Sequence, residues 1–230
     1  MSQNIFLTGA SRGIGAAIAA MAEDRGHNVF AANSSHADLS QPGAAHALWD
    51  IALARLGGRI DVLINNAGIF EATPLDSSDD DWLAGWQRTM SVNLEASALL
   101  CRKAVLHWQG AGVGGRIVNV ASRAAYRGDS PEHWHYAASK SGMVAMTKTI
   151  ARAYSVDGIY AFAICPGFTM TGMAEDYLAS RGGDRLLADI PLGRVAMPEE
   201  IAEMALWLSD TAPPSMTGAV LDANGASYVR

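Results

Sequence analysis

Short apolar runs alternate along the chain with longer segments that have helical periodicity. The apolar runs predict strands over residues 4–7, 28–32, 61–65, 117–121, 160–164 and 219–222. The segments between them predict helices over residues 14–24, 42–56, 79–107, 136–155 and 198–208. Wholly apolar strands that alternate with helices are typical of a parallel sheet buried on both faces. We therefore predict an α/β fold of the Rossmann type, with a doubly wound, mainly parallel sheet and helices on both faces.

The length and composition of the chain predict one soluble domain. The chain has 230 residues, of which 50% are hydrophobic, so we expect a single domain over residues 1–230. No apolar run would cross a bilayer, and the first strand leaves no room for a secretory signal, which predicts a cytoplasmic protein without a membrane partner. A net charge of -6 without a basic cluster argues against a nucleic-acid partner. Cys101 and Cys165 are expected to be buried free thiols.

The most specific chemistry is predicted at Tyr136 and Lys140, which lie four residues apart and share one face of a helix. A free tyrosine keeps its proton up to roughly pH 10, so acid–base work near neutrality needs a cation that stabilises the phenolate. Lys140 is placed to lower the pKa of Tyr136. Ser122 follows the predicted strand 117–121, at the sheet edge where ligands bind. Taken alone, this spacing more often belongs to an ordinary helix with a half-buried tyrosine and a solvated lysine.

A glycine-rich turn, Thr8-Gly9-Ala10-Ser11-Arg12-Gly13-Ile14-Gly15, joins the first strand to the first helix. Glycine permits a positive φ and a close approach of the backbone to a pyrophosphate, which the free N–H groups of the helix N-terminus then bind. The turn predicts a phosphate-binding site that includes Gly9, Ser11, Gly13, Ile14 and Gly15. The alternative is a tight turn that only allows the helix to pack closely on the strand.

The residues after the second strand bear on the choice between NAD and NADP. A carboxylate there would bind the ribose 2′-hydroxyl and repel a 2′-phosphate, but the chain has Asn33 and Ser34. Arg12 is able to pair with a phosphate, so we expect NADP(H) to be favoured over NAD(H). The alternative is that Arg12 is only a solvent-facing turn residue.

Two further turns leave predicted strands at the same edge. In Asn65-Asn66-Ala67-Gly68, the small Ala67 and Gly68 would let a ribose lie against the backbone, while Asn66 would hold the turn. A plain Asx turn is the alternative. After strand 160–164, Pro166 and Gly167 give a sharp exit. Thr169 and Thr171 would then bind the carboxamide or the pyrophosphate, or are ordinary loop hydroxyls.

Two features between these turns invite an explanation. Asn93 lies inside the predicted helix 79–107 although asparagine is a mediocre helix former. Asn93 is therefore expected to have a role in the active site, and the alternative is that it caps or kinks the helix. The apolar face of that helix is broad enough to suggest a subunit contact. Residues 123–135 predict an irregular loop that forms one wall of the site. His133 and His135 are expected to be surface histidines, because no set of metal ligands accompanies them.

Taken together, these motifs resemble the classical short-chain dehydrogenase/reductase family, particularly its 3-oxoacyl-thioester reductases, over nearly the whole chain. The resemblance rests on the turns at 8–15 and 65–68, Asn93, Ser122, Tyr-x-x-x-Lys at 136–140 and Cys-Pro-Gly at 165–167. It implies that Asn93, Ser122, Tyr136 and Lys140 are catalytic, with Asn93 holding a water that connects Lys140 to solvent. It also implies that Tyr136 and Lys140 contact the cofactor, that residues 170–191 form a substrate lid, and that the protein is a homotetramer or homodimer.

The chain departs from the family pattern after the second strand. Asp38 and Leu39 follow this strand after only a few polar residues, so one crossover is missing and the third strand should be truncated. By their spacing to Asn65, Asp38 and Leu39 match the pair that brackets the adenine in the family. Asp38 is alternatively a cap for the helix 42–56. We expect a shortened sheet edge and a more open adenine side.

The expected reaction is reversible hydride transfer between NADP(H) and a small-molecule carbonyl or alcohol, with Tyr136 as general acid and base. Ser122 would hydrogen-bond the substrate oxygen, and Lys140 would grip the nicotinamide ribose. Met173, Tyr177 and Leu186 in the lid suggest a moderately hydrophobic substrate. One alternative is a dinucleotide-binding regulator without turnover, in which Tyr, Lys or Ser is typically altered. Another is sugar-nucleotide chemistry, which normally requires a larger C-terminal domain.

Overall fold

The computed structural model describes residues 2–171 and 183–230, so the predictions for Met173, Tyr177 and the Leu186 side chain lie outside the described residues. Within them, parallel strands form one six-stranded sheet in the order β2-β1-β3-β4-β5-β6. The strands are β1 (Asn4–Thr8), β2 (Asn28–Ala32), β3 (Val62–Asn65), β4 (Gly115–Val120), β5 (Ile159–Pro166) and β6 (Val220–Ala223). The predicted α/β fold with a mainly parallel sheet is confirmed.

The helices connect these strands and cover both faces of the sheet. They are α1 (Gly13–Asp24), α2 (Ala44–Arg55), α3 (Asp79–Met90), α4 (Ala96–Ala111), α5 (Ala124–Arg127), α6 (Trp134–Tyr154), α7 (Gly183–Ala188) and α8 (Pro198–Asp210). Ser78 caps α3 by accepting a hydrogen bond from the Asp81 N–H, and Gly112 ends α4 in the left-handed conformation. None of the described helices is both long and apolar enough to span a membrane.

Alternate strand residues point to two separate hydrophobic layers. Phe6 and Leu63 face one layer, in which α2, α4 and α6 pack on the sheet. Ile5 and Ile64 face the other layer, formed with α1 and α8. Strands that are apolar on both sides require this arrangement, because both of their faces must be covered. Ligand sites in such folds lie at the carboxyl ends of the strands.

The edge of the sheet beside β2 is short, as predicted. Residues 33–61 contain one helix, α2, and no strand, so β2 pairs only with β1 in the described structure. Asp38 does not cap α2, because the cap residue is Gly43. Instead, the Asp38 carboxylate accepts hydrogen bonds from the N–H and the hydroxyl of Ser40, at 3.0 and 2.8 Å. These bonds hold a local turn beside β2.

Two predicted boundaries were wrong. The segment 123–135 is not irregular throughout, because α5 forms directly after Ser122 and α6 begins at Trp134. The predicted helix 79–107 is divided by a π-helical segment, Ser91–Glu95, between α3 and α4. Such single-turn π segments often occur at functional sites, and this one contains Asn93.

Candidate active site

The turns after β1 and β3 are joined at the carboxyl edge of the sheet. Gly9 has a φ of +71°, and an added Cβ would lie 2.6 Å from the Ala67 Cα. The Thr8 hydroxyl accepts hydrogen bonds from the N–H groups of Asn66 and Ala67, each at 3.1 Å. The Asn66 side-chain amide donates to the Gly9 carbonyl at 2.9 Å. The two turns therefore form one fixed unit in which only glycine fits at position 9.

A cleft of about 360 Å³ opens beside this unit. Fourteen of the predicted cofactor residues line it: Gly9, Ser11, Arg12, Gly13, Ile14, Gly15, Asn33, Ser34, Asp38, Leu39, Asn66, Ala67, Gly68 and Thr171. Gly13 has a φ of +55°, and an added Cβ would lie 2.7 Å from the Thr171 Cγ2. Among the described residues, no side chain caps the N-terminus of α1. Its free N–H groups and the glycine-lined floor fit the pyrophosphate of a dinucleotide.

Arg88 also lines the cleft, and sequence reasoning missed it. Its Nε lies 3.2 Å from Glu71 Oε2. The pKa of Asp38 is lowered by its hydrogen bonds from Ser40 and, to a lesser extent, by the charge of Arg88. Val92, one helical turn after Arg88, also lines the cleft, and no local sequence pattern placed either side chain there.

Tyr136 and Ser122 meet at the ends of α6 and β4. Burial raises the pKa of Tyr136 to about 12, and a side-chain hydrogen bond with Ser122 acts in the opposite direction. The Ser122 hydroxyl also accepts a hydrogen bond from the Ala124 N–H at 3.1 Å, which fixes its position at the start of α5. At neutral pH the Tyr136 phenol is therefore protonated in this structure and has a proton to donate.

Lys140 is buried beside this pair, and its Nζ donates to the Val120 carbonyl at 2.9 Å. Burial lowers the pKa of Lys140 to about 8. The Nζ lies 5.8 Å from the centroid of the Tyr136 ring. In this structure the pKa of Tyr136 is raised, in contrast to the lowering expected from Lys140, because desolvation of the phenolate is the largest influence.

Asn93 connects the π-helical segment to the turn after β3. Its Oδ1 accepts from the Ile69 N–H at 2.8 Å, and its Nδ2 donates to the Ile69 carbonyl at 2.9 Å. An added Cβ on Gly68 would lie 3.3 Å from Asn93 Oδ1 and 3.5 Å from Lys140 Nζ. Asn93 thus both interrupts the helix and holds the backbone close to Lys140. The water proposed behind Lys140 stays a prediction.

The two histidines are buried, so the expectation of surface histidines was wrong. His133 and His135 are 8% and 2% exposed. His133 Nδ1 lies 2.6 Å from the Ser130 hydroxyl, and His135 Nε2 lies 2.8 Å from the Thr73 hydroxyl. His135 Nδ1 accepts from the Tyr136 N–H at 2.8 Å, which satisfies a free donor at the start of α6. Burial lowers the pKa of His135, so its neutral form is favoured.

The turn after β5 supports the site mainly from outside the cleft. The Arg123 N–H donates to the Pro166 carbonyl at 2.9 Å, and the Gly167 N–H donates to the Ala223 carbonyl at 3.0 Å. The Thr169 hydroxyl donates to the Gly167 carbonyl at 3.3 Å. Of the four residues predicted here, Thr171 reaches the cleft wall, whereas Pro166, Gly167 and Thr169 do not line it.

A parallel Rossmann-type sheet with a glycine turn and a Ser-Tyr-Lys set at its carboxyl edge defines a dinucleotide-dependent oxidoreductase. Residues 31–225 match the family model described as enoyl-(acyl carrier protein) reductase, and the chain belongs to this family of short-chain dehydrogenases/reductases.

Full-length relatives act on different carbonyl and alcohol compounds, as their names state. The chain is 33% identical to 3beta-hydroxysteroid dehydrogenase 1 of Eggerthella lenta, covering 97% of this chain and 92% of the relative. It is 31% identical to acetoacetyl-CoA reductase of Shinella zoogloeoides, covering 99% of both chains. It is 34% identical to a 3-oxoacyl-[acyl-carrier-protein] reductase of Synechocystis, covering 97% of this chain and 96% of the relative.

Proposed function

We propose that the protein is a cytoplasmic, homo-oligomeric carbonyl reductase that reversibly transfers a hydride between NADP(H) and a carbonyl or alcohol. The observation that carries this proposal is the grouping of three side chains: the Lys140 Nζ lies 5.8 Å from the centroid of the half-buried Tyr136 ring, and the Ser122 side chain acts to lower the pKa of the Tyr136 phenol. The nicotinamide, when bound, supplies or accepts the hydride. The whole chain acts as one catalytic domain, with residues 170–191 as its lid.

The residues of the chain move and stabilise the accompanying proton. In the reductive direction Tyr136 donates its proton to the substrate oxygen, and its raised pKa keeps that proton available at neutral pH. Ser122 stabilises the same oxygen by a hydrogen bond. Lys140 offers a buried cation that stabilises the resulting phenolate and binds the nicotinamide ribose. Asn93 orders a water that returns a proton to Lys140.

The proposed preference for NADP(H) over NAD(H) depends on three side chains that line the cleft. Arg12, Asn33 and Ser34 line it together, and none of them carries a negative charge. A guanidinium forms charge-assisted hydrogen bonds with phosphate oxygens, and the two short polar side chains leave room for a 2′-phosphate. Asp38 and Leu39 would hold the adenine on the open side of the sheet.

The test is Tyr136→Phe, which removes the phenol hydroxyl and keeps the ring. We expect loss of NADPH oxidation in the presence of a panel of ketones, while the dissociation constant for NADPH, measured by fluorescence titration, stays within about twofold of the native value. Retained turnover would remove Tyr136 from the mechanism. Absence of turnover in the native protein across diverse carbonyls would favour a dinucleotide-binding regulator instead.

A further inference from the structure

An aromatic pair stands directly beside the proposed acid–base residue. The rings of Phe70 and His133 are stacked, with centroids 3.9 Å apart and an interplanar angle of 8°. The Phe70 ring also contacts the Tyr136 ring edge-to-face, at 4.8 Å and 82°. Phe70 is 36% exposed, although its ring is covered on one side by His133. Part of the Phe70 ring therefore remains accessible beside Tyr136.

The pair is held rigidly from two chain segments. The Thr73 N–H donates to the Glu132 carbonyl at 2.9 Å, which joins the segment after β3 to the segment before α6. Asn93 fixes the backbone of Ile69 immediately before Phe70 through two hydrogen bonds. The Ser130 hydroxyl fixes the His133 ring. A ligand that packs on this surface therefore spends little free energy on ordering it.

We call the surface formed by Phe70 and His133 the aromatic wall, and further aromatic rings adjoin it. Trp82 and Trp86 are stacked at 5.4 Å, and Trp134 meets Trp82 edge-to-face at 6.2 Å. The ring centroids of Trp86 and His135 are 6.4 Å apart, and those of His135 and His133 are 6.2 Å apart. Three of the six tryptophans of the chain are thus in this layer. Large rigid side chains resist collapse, so the wall keeps its shape.

We propose that Phe70, backed by His133, is a specificity-determining residue that favours ketones carrying a ring next to the carbonyl over unbranched ketones of equal carbon number. A ring gains face and edge contacts with an aromatic wall and has few torsions to immobilise, whereas an alkyl chain loses several rotamers on the same surface. The identity of the reaction rests on the proposed function, but the binding preference does not.

The kinetic test compares acetophenone with 2-octanone, two methyl ketones that each have eight carbons. For each protein we would measure the ratio of kcat/KM for the two ketones with NADPH. Phe70→Leu keeps an apolar side chain but removes the flat ring, and it should lower the acetophenone preference roughly fivefold. Phe70→Trp should retain the preference. Leu75→Ala is the matched control, because Leu75 is an exposed apolar residue of the same segment and should change nothing.

A binding test separates this inference from the reaction. Saturation-transfer NMR on the NADPH complex of the Tyr136→Phe protein would record ketone binding without turnover. A stronger acetophenone signal that falls on adding Phe70→Leu supports the wall, even if the native protein turns over neither ketone and the proposed function fails. Turnover with the same ketone ratio in native, Phe70→Leu and Leu75→Ala proteins overturns the wall and leaves the proposed function standing. Binding of neither ketone also overturns it.

Discussion

The dinucleotide half of the site and its catalytic half differ in what forms their walls. The dinucleotide half consists of backbone turns with exposed side chains such as Ser11, Arg12 and Ser34 at its rim. The catalytic half contains the buried side chains of Asn93 and Lys140, which are at most 4% exposed, beside the half-buried Tyr136. The shape of the first half comes from glycine conformations, whereas the shape of the second comes from hydrogen bonds between buried side chains and the backbone.

The short edge of the sheet, which ends at β2, lies on the dinucleotide side of the site. The proposed phosphate cradle consists of backbone N–H groups at the α1 N-terminus and the two joined turns, and none of these groups belongs to a strand beyond β2. In the catalytic half, Asn93 and Lys140 each hold a backbone carbonyl that a replacement would leave unpaired. Substitutions should therefore have large effects in the catalytic half and smaller effects at the rim of the dinucleotide half.

The largest effect is expected for Lys140→Met, which keeps the length of the side chain but removes its charge. We expect kcat to fall by about 100-fold or more, the range of acid–base catalysis, because the phenolate loses its buried cation. Steady-state kinetics would measure this, with a thermal unfolding control. Lys148→Met, an exposed residue two turns later on α6, should leave kcat unchanged. Equal kcat values for the Lys140→Met and Lys148→Met proteins would show that Lys140 is not a catalytic residue.

A smaller effect is expected for Arg12→Gln at the rim of the dinucleotide half. Loss of a charge-assisted hydrogen bond should weaken NADPH binding roughly tenfold and leave NADH binding nearly unchanged. Isothermal titration with both cofactors would measure the two dissociation constants. Arg25→Gln serves as the control, because Arg25 pairs with Glu203 at the far end of α1. A parallel loss for NADPH and NADH would mean that Arg12 does not recognise the 2′-phosphate.

The smallest effect concerns pH and His135. Burial places the pKa of folded His135 below its ordinary value of 6.5, so the unfolded chain binds the additional proton as the pH falls. The contribution of His135 to stability should be complete above about pH 6.5 and decrease below it, by at most about 1.4 kcal/mol per pH unit. Urea unfolding of native and His135→Gln proteins between pH 5 and 8 would measure the difference. A difference that does not change with pH contradicts the buried neutral imidazole.

Much of this architecture was predictable from local patterns. The bounds of β2 matched the predicted strand, and the short path through Asp38 and Leu39 correctly indicated the missing third strand. Ser122, Tyr136 and Lys140 could be placed together because strand ends and helix spacing determine where such side chains lie.

Other features depend on contacts that no local pattern encodes. The burial of His133 and His135 arises from Phe70, Thr73 and the tryptophans of α3, which are distant in sequence. The raised pKa of Tyr136 depends on how much water the folded chain excludes from the phenol. Arg88 reaches the cleft only because α3 packs beside the turn after β3, and its residue type did not indicate this.

The central claim is hydride transfer at the Tyr136 site, and isotope transfer tests it most directly. The native protein would be incubated with NADPH deuterated at both C4 positions and with acetophenone, 2-octanone and a 3-oxo ester, followed by mass spectrometry of the alcohols. We expect an alcohol with one deuterium on its carbinol carbon from the native protein and none from Tyr136→Phe. Bound NADPH without a deuterated alcohol from any of these ketones, or equal deuterium transfer by Tyr136→Phe, would contradict it.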